Sequence, residues 1–133
     1  MKKAAEIYKD ELNKTYFTIC DYQPMLIEFG EIILQIDDAD YSGDSRVLYR
    51  DNGKYGYLHF GWGSCSGCDA LQACDSIEKV QELMNDLFQS IKWFENKSEC
   101  LNFFLNHDWQ GDYSYFLNEQ KEFVAKAIEL LKD

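Results

Sequence analysis

The chain has a single proline, Pro24, among its 133 residues. No proline-rich or otherwise biased linker divides it, and no internal repeat is present, so one α+β domain spanning 1–133 is expected. No apolar run approaches the ~20 residues of a membrane helix. After Met1-Lys2-Lys3 there is no apolar segment of the kind a secretory signal needs. A cytoplasmic protein with no membrane association is the expectation. Basic residues are scarce: 13 Lys and Arg stand against 24 Asp and Glu, a formal net charge of −11. Phosphate contacts require Lys and Arg, so direct nucleic-acid binding is not expected. Also missing are His-Glu-x-x-His, a His-x-Glu paired with Pro-Cys-x-x-Cys, a Gly-x-Ser-x-Gly elbow and a P-loop. An enzyme is therefore not expected.

What is present is a globular composition, with 46% hydrophobic and 16% aromatic residues, enough to build a core without disulfides. The first half reads as β-rich. Ala4 to about Asn13 suits a short helix, Thr15–Cys20 is β-prone, and Met25 to Ile36 reads as one or two strands, with Gly30 a bulge or turn. Asn52-Gly53 between Arg46–Arg50 and Tyr55–Phe60 predicts a hairpin. On its second strand Leu58, Phe60 and Trp62 share one face and Tyr57 and His59 the other. The second half reads as helical. Ile77, Val80, Met84, Leu87, Ile91 and Phe94 recur at three- and four-residue spacing, which predicts a helix capped by Asp75 or Ser76 and running to about Phe94. Ser98 can cap a second helix, and a third runs from about Tyr115 to Lys132. The expected fold is an antiparallel β-meander followed by three helices packed on it.

Two features carry the functional reading. From Phe17 to Ser45 there are seven acids (Asp21, Glu28, Glu31, Asp37, Asp38, Asp40 and Asp44) and no Lys or Arg. That segment is either a solvated face or a docking face for a basic partner. Asp38 to Asp44 has the alternating oxygens and the Gly of a half EF-hand, but Tyr49 occupies the position of the bidentate Glu; an acidic turn is favoured over a calcium loop.

The second feature is Cys65-Ser66-Gly67-Cys68 with Cys74 six residues on. Two residues between thiolates let both sulfurs face one tetrahedral ion, and Cys74 can reach it from the start of the next helix. Five cysteines, an odd number, favour thiols or metal ligands over disulfides. A structural zinc held by Cys65, Cys68 and Cys74 is the expected cofactor. The fourth ligand is open among His107, His59, Cys100, Cys20 and Asp69, with His107 preferred because a polar loop can present an imidazole. The rival is a Cys-x-x-Cys thiol oxidoreductase. The third cysteine, the glycine-rich approach and the lack of strand–helix alternation favour metal.

Phe60-Gly61-Trp62-Gly63-Ser64-Cys65-Ser66-Gly67-Cys68-Asp69-Ala70-Leu71-Gln72-Ala73-Cys74, with Ser90-Ile91-Lys92-Trp93 and His107-Asp108-Trp109-Gln110-Gly111-Asp112-Tyr113, resembles a group of small proteins of phages and bacteria. The likeness spans roughly 55–113, and the joint presence of the three blocks is a further reason to prefer His107. In size, acidity and metal-type turn, though not in any motif, the chain also resembles zinc-bearing type II anti-CRISPR proteins, inhibitors of Cas9. That resemblance implies a stoichiometric inhibitor whose acidic segment faces a basic surface of the effector and blocks loading of target DNA. The alternative is a zinc-stabilised interaction module of another phage or host pathway.

Overall fold

At Asn52 and Gly53 the chain reverses with φ of 50° and 83°, both left-handed. This is the type I′ geometry that the Asn-Gly pair favours, and its twist matches the strands on either side. The computed structural model describes residues 1–14, 16–39, 42–64, 69–111 and 117–133. In order these are α1 (Ala4–Ile7), a 3-10 turn (Glu11–Asn13), α2 (Gln23–Leu26), β1 (Glu31–Asp37), β2 (Gly43–Asp51), β3 (Lys54–Trp62), α3 (Ile77–Ser90), β4 (Lys92–Phe94), α4 (Lys97–Asn106), a second 3-10 turn (Trp109–Gly111) and α5 (Leu117–Lys132). The strands form one antiparallel sheet in the order β1-β2-β3-β4. The α+β class and the meander expected from the sequence are what the structure has.

Strand alternation splits the apolar residues between two faces. Val47, Tyr49, Leu58 and Phe60 join α1, α2 and α3 in one cluster, with Met25, Leu26, Val80 and Met84 fully buried. Leu48, Tyr55 and Tyr57 pack against α4 and α5 in the other, around Cys100, Phe104 and Phe123. In β1 an extra residue, Ile33, shifts the register between Ile32 and Leu34. The bulge thus falls three residues after Gly30, and it turns Ile33 and Leu34 toward the second cluster.

Four expectations are corrected. Residues 25–29 do not form a strand. Pro24 sits in the first turn of α2, and the buried residues Met25, Leu26 and Phe29 have helical spacing. Thr15 lies outside the described residues, and 16–20 form no strand. The helix expected to reach Phe94 stops at Ser90, where Ile91 turns to extended backbone. Lys92–Phe94 then pairs with Tyr55–Tyr57. Ile91 and Trp93 belong to one cluster and Phe94 to the other, a split that a strand makes and a helix face cannot. Ser76 caps α3 as expected, accepting from the Lys79 N–H, but α4 is capped by Asn96 and not by Ser98.

The β3–β4 pairing needs Gly56. A Cβ there would stand 2.8 Å from Ile91 Cγ2 and from Trp93 Cε3. Gly56→Ala is expected to lose about 2 kcal/mol, the usual cost of overpacking, measurable as a lower urea midpoint with unchanged slope.

Candidate functional site

The cysteine segment lies between β3, which ends at Trp62, and residues 69–76, which pass through hydrogen-bonded turns into α3. Cys65 and Cys68 lie outside the described residues. The flanks of the turn are fixed by a buried carboxylate. Asp69 Oδ1 accepts hydrogen bonds from the Gly63 N–H and the Tyr22 hydroxyl, both at 3.0 Å, and Oδ2 accepts from the Gln72 N–H at 2.9 Å. Tyr22 in turn accepts from the Leu71 N–H at 3.2 Å, and the Gln72 amide donates to the Gly63 carbonyl. Burial is the main reason the Tyr22 phenol titrates well above its usual range, so it stays a donor to Asp69. Asp69 was a candidate fourth ligand. Its two oxygens accept three hydrogen bonds, which tie Gly63, Tyr22 and Gln72 together at the neck of the cysteine segment.

Of the proposed ligands, Cys74 is buried in the cluster around α1–α3, and its Sγ donates to the Ala70 carbonyl at 3.3 Å. Burial pushes this thiol up, with Lys79 pulling the other way. A bound cation would supply the missing stabilisation of a thiolate there, so the residue fits a metal-ligand role chemically. His107 stands elsewhere. It follows α4 and contacts the rings of Phe103 and Trp109, at 5.0 and 4.4 Å between centroids, and these pack on the opposite face of the sheet. The structure does not bring His107 and Cys74 together. His59 points to that same opposite face and lies 3.4 Å from Asp44. Among the described residues no group of three His, Cys, Asp or Glu side chains converges.

The other two cysteines differ sharply. Cys100 is fully buried beside Phe104, and burial pushes its thiol up to about 12, while Cys20 is exposed. A raised thiol stays protonated at neutral pH and reacts slowly. Alkylation of the native protein near pH 8 is therefore expected to modify Cys20 and to leave Cys100 untouched until denaturant is added, as read by peptide mapping.

The acidic segment is sorted by the fold into several kinds of carboxylate. Asp21 and Asp37 are exposed, and Glu28 and Asp44 are partly so. Glu31 is exposed but is held by Arg50 at 2.9 Å. Asp40 lies outside the described residues. Asp38 corrects the expected surface set: its side chain is completely buried, pairs with Arg46 at 3.2 Å and accepts from the Asp44 N–H at 2.6 Å. It sits where β1 returns into β2, between strands rather than the helices of an EF-hand, and it serves the fold.

Asp21 and Asp37 open onto one cleft of about 280 Å³, walled by Tyr22, Phe60 and Trp62. The Trp62 indole N–H donates to Ser45 Oγ at 2.9 Å, and the Ser45 hydroxyl donates to Asp37 at 2.6 Å. The Gln23 and Gln35 amides exchange hydrogen bonds across the same cleft. Sequence reading found the acids but missed the aromatic walls, because Tyr22 and Trp62 meet Asp37 only through the pairing of β1, β2 and β3. The alternation that puts Phe60 and Trp62 on one face was the available signal.

No protein family, curated protein or solved structure matches the chain in comparison. What the fold defines is a class: an α+β domain whose antiparallel sheet carries helices on both faces. No helix among the described residues is long and apolar enough to cross a membrane.

Proposed function

We propose that the protein is a stoichiometric, non-catalytic protein-binding module of the cytoplasm that docks on a basic surface, and that the partner is a Cas9-type effector whose target-DNA loading it blocks. The observation that supports docking is the exposure of Asp21 and Asp37 at the α2–β1 edge, beside aromatic side chains, in a chain of net charge −11. Such a surface complements one built to hold nucleic acid, and it offers phosphate nothing. A structural zinc held by Cys65, Cys68 and Cys74 belongs to the same reading. His107 stands across the sheet from Cys74, so the reading rests on the three cysteines. The ion would tie the turn to the start of α3 and contribute on the order of 10 kcal/mol to folding.

A DNA-cleavage assay tests the function. Molar excess over the effector is expected to abolish cleavage, and rising salt to restore it, because exposed charge pairs are screened within a Debye length of about 8–10 Å. Undiminished cleavage at large excess and low salt would sink this reading. Zinc is tested separately by elemental analysis: equimolar zinc is expected, lost in the Cys65→Ser and Cys68→Ser variants.

A further inference from the structure

The cleft between α2 and the β1–β3 strands has more definition than a general acidic surface requires. Its carboxylates do not stand alone. Ser45 is buried and holds two walls at once, accepting from the Trp62 indole N–H and donating to the Asp37 carboxylate. Asp37 is held a second time by the Gln35 amide at 3.1 Å. On the same face the Tyr22 and Phe60 rings pack with centroids 5.0 Å apart, and the Tyr22 hydroxyl is tied to Asp69. An indole and a carboxylate are thus locked side by side in a concave site before any ligand arrives, with Asp21 also lining it. Aromatic faces attract cations through their quadrupole, and carboxylates accept their N–H groups. A planar guanidinium uses both at once: its face lies on a ring while its edge donates to an oxygen pair. An ammonium also meets ring and carboxylate, but it is compact and more strongly hydrated and has no flat face to lay on the ring while a fork of donors meets the oxygens, so it gains less.

We infer that this cleft is a socket for an arginine side chain presented by the protein partner. The inference rests on the docking reading above and gives it a specific contact, with Asp37 and Trp62 as the principal groups and Ser45 as the residue that positions them. It predicts that recognition is of arginine in particular and not of positive charge in general.

The test uses the intact protein and N-acetyl-arginine amide, followed by the indole N–H signal of Trp62 in a nitrogen-15 correlation spectrum. Trp93 and Trp109 are internal references, and Trp62→Phe assigns the signal. A saturable shift of Trp62 is expected with the arginine compound. The citrulline analogue, of the same shape without charge, is expected to give none, and the lysine analogue to bind several-fold more weakly. Asp37→Asn is expected to weaken binding roughly tenfold, the scale of one charge-assisted hydrogen bond. An unmoved Trp62 signal, equal shifts from citrulline, or equal affinity for lysine each overturns the inference, and these measurements on the unaltered protein hold even if a variant fails to fold. The two readings fail separately. Arginine binding without any effect on Cas9 removes the partner and leaves the socket. Inhibition of Cas9 that is unchanged in Asp37→Asn and Trp62→Phe removes the socket and leaves the partner.

Discussion

Arg46→Met, with Asp38 left in place, is expected to lose about 3–5 kcal/mol of stability, the cost of stranding a buried charge. Both side chains are wholly inaccessible to solvent, and Arg46 Nη1 lies 3.2 Å from Asp38 Oδ1. The attraction does not make this pair a net source of stability. Burial raises the Asp38 carboxyl above its usual range by more than the Asp44 N–H and Arg46 take back. For an acid with a raised folded-state value, the native chain holds a proton that the unfolded chain has released. Its contribution to stability is full below the ordinary carboxylate value and falls as pH rises through the raised one. Removing Arg46 widens that window upward. The deficit of Arg46→Met relative to the unaltered protein is therefore expected to be smaller at pH 5 than at pH 8, by urea unfolding at each. The double variant Asp38→Leu, Arg46→Met removes both charges and is expected to recover most of the loss. Equal deficits at the two pH values would show that Asp38 is not the group left exposed to the penalty.

Asp38 also shows where sequence reading stopped. The acids between Phe17 and Ser45 were visible as one block, and a block of one sign invites one interpretation. The fold breaks it up. Asp38 turns inward because Arg46 lies eight residues on, across the β1–β2 connection, and only the strand pairing brings them together. Glu31 is neutralised by Arg50 for the same reason. The hairpin, the sheet and α3 were legible because each rests on local signals: Asn52-Gly53, the period-2 alternation and the Ser76 cap. β4 was not, since three residues carry too little pattern to stand against the helix spacing that Ile91 and Phe94 happen to continue. The cysteines were read from spacing, which bears on which residues can share an ion within a turn. It says nothing of which side of a sheet a distant histidine will occupy, and the preference for His107 rests on loop polarity and on the co-occurrence of its block with the cysteine block, neither of which bears on position in the fold.

Asp69→Ala is expected to be nearly as damaging, about 3–4 kcal/mol. It leaves the Gly63 N–H, the Gln72 N–H and the Tyr22 hydroxyl without their acceptor, at about 1–3 kcal/mol for each donor left buried and with less than full additivity. Asp69→Asn keeps one carbonyl oxygen and is expected to lose about half as much. Tyr22→Phe removes one donor to Asp69 and strands only the long 3.2 Å bond from the Leu71 N–H, and is expected to cost about 1 kcal/mol, the low end for one unpaired group. This order, alanine worse than asparagine and asparagine worse than the Tyr22 variant, follows from which groups are left unpaired. Simple loss of side-chain bulk would instead put Tyr22→Phe and Asp69→Asn together near zero. Hydrogen exchange localises the effect: the Gly63 and Gln72 amides are expected to lose protection in Asp69→Asn while Val47 and Leu58, in the sheet, keep theirs. The hydrogen bonds that Asp69 accepts at the neck of the cysteine segment all come from protein groups, so its loss and the loss of a metal are expected to be separable. Asp69→Asn is expected to retain the zinc proposed for Cys65, Cys68 and Cys74, measured by elemental analysis, while its melting point falls. If zinc disappears with the clamp, Asp69 is part of the metal site after all. If the melting point is unchanged, the three hydrogen bonds contribute nothing that water does not replace.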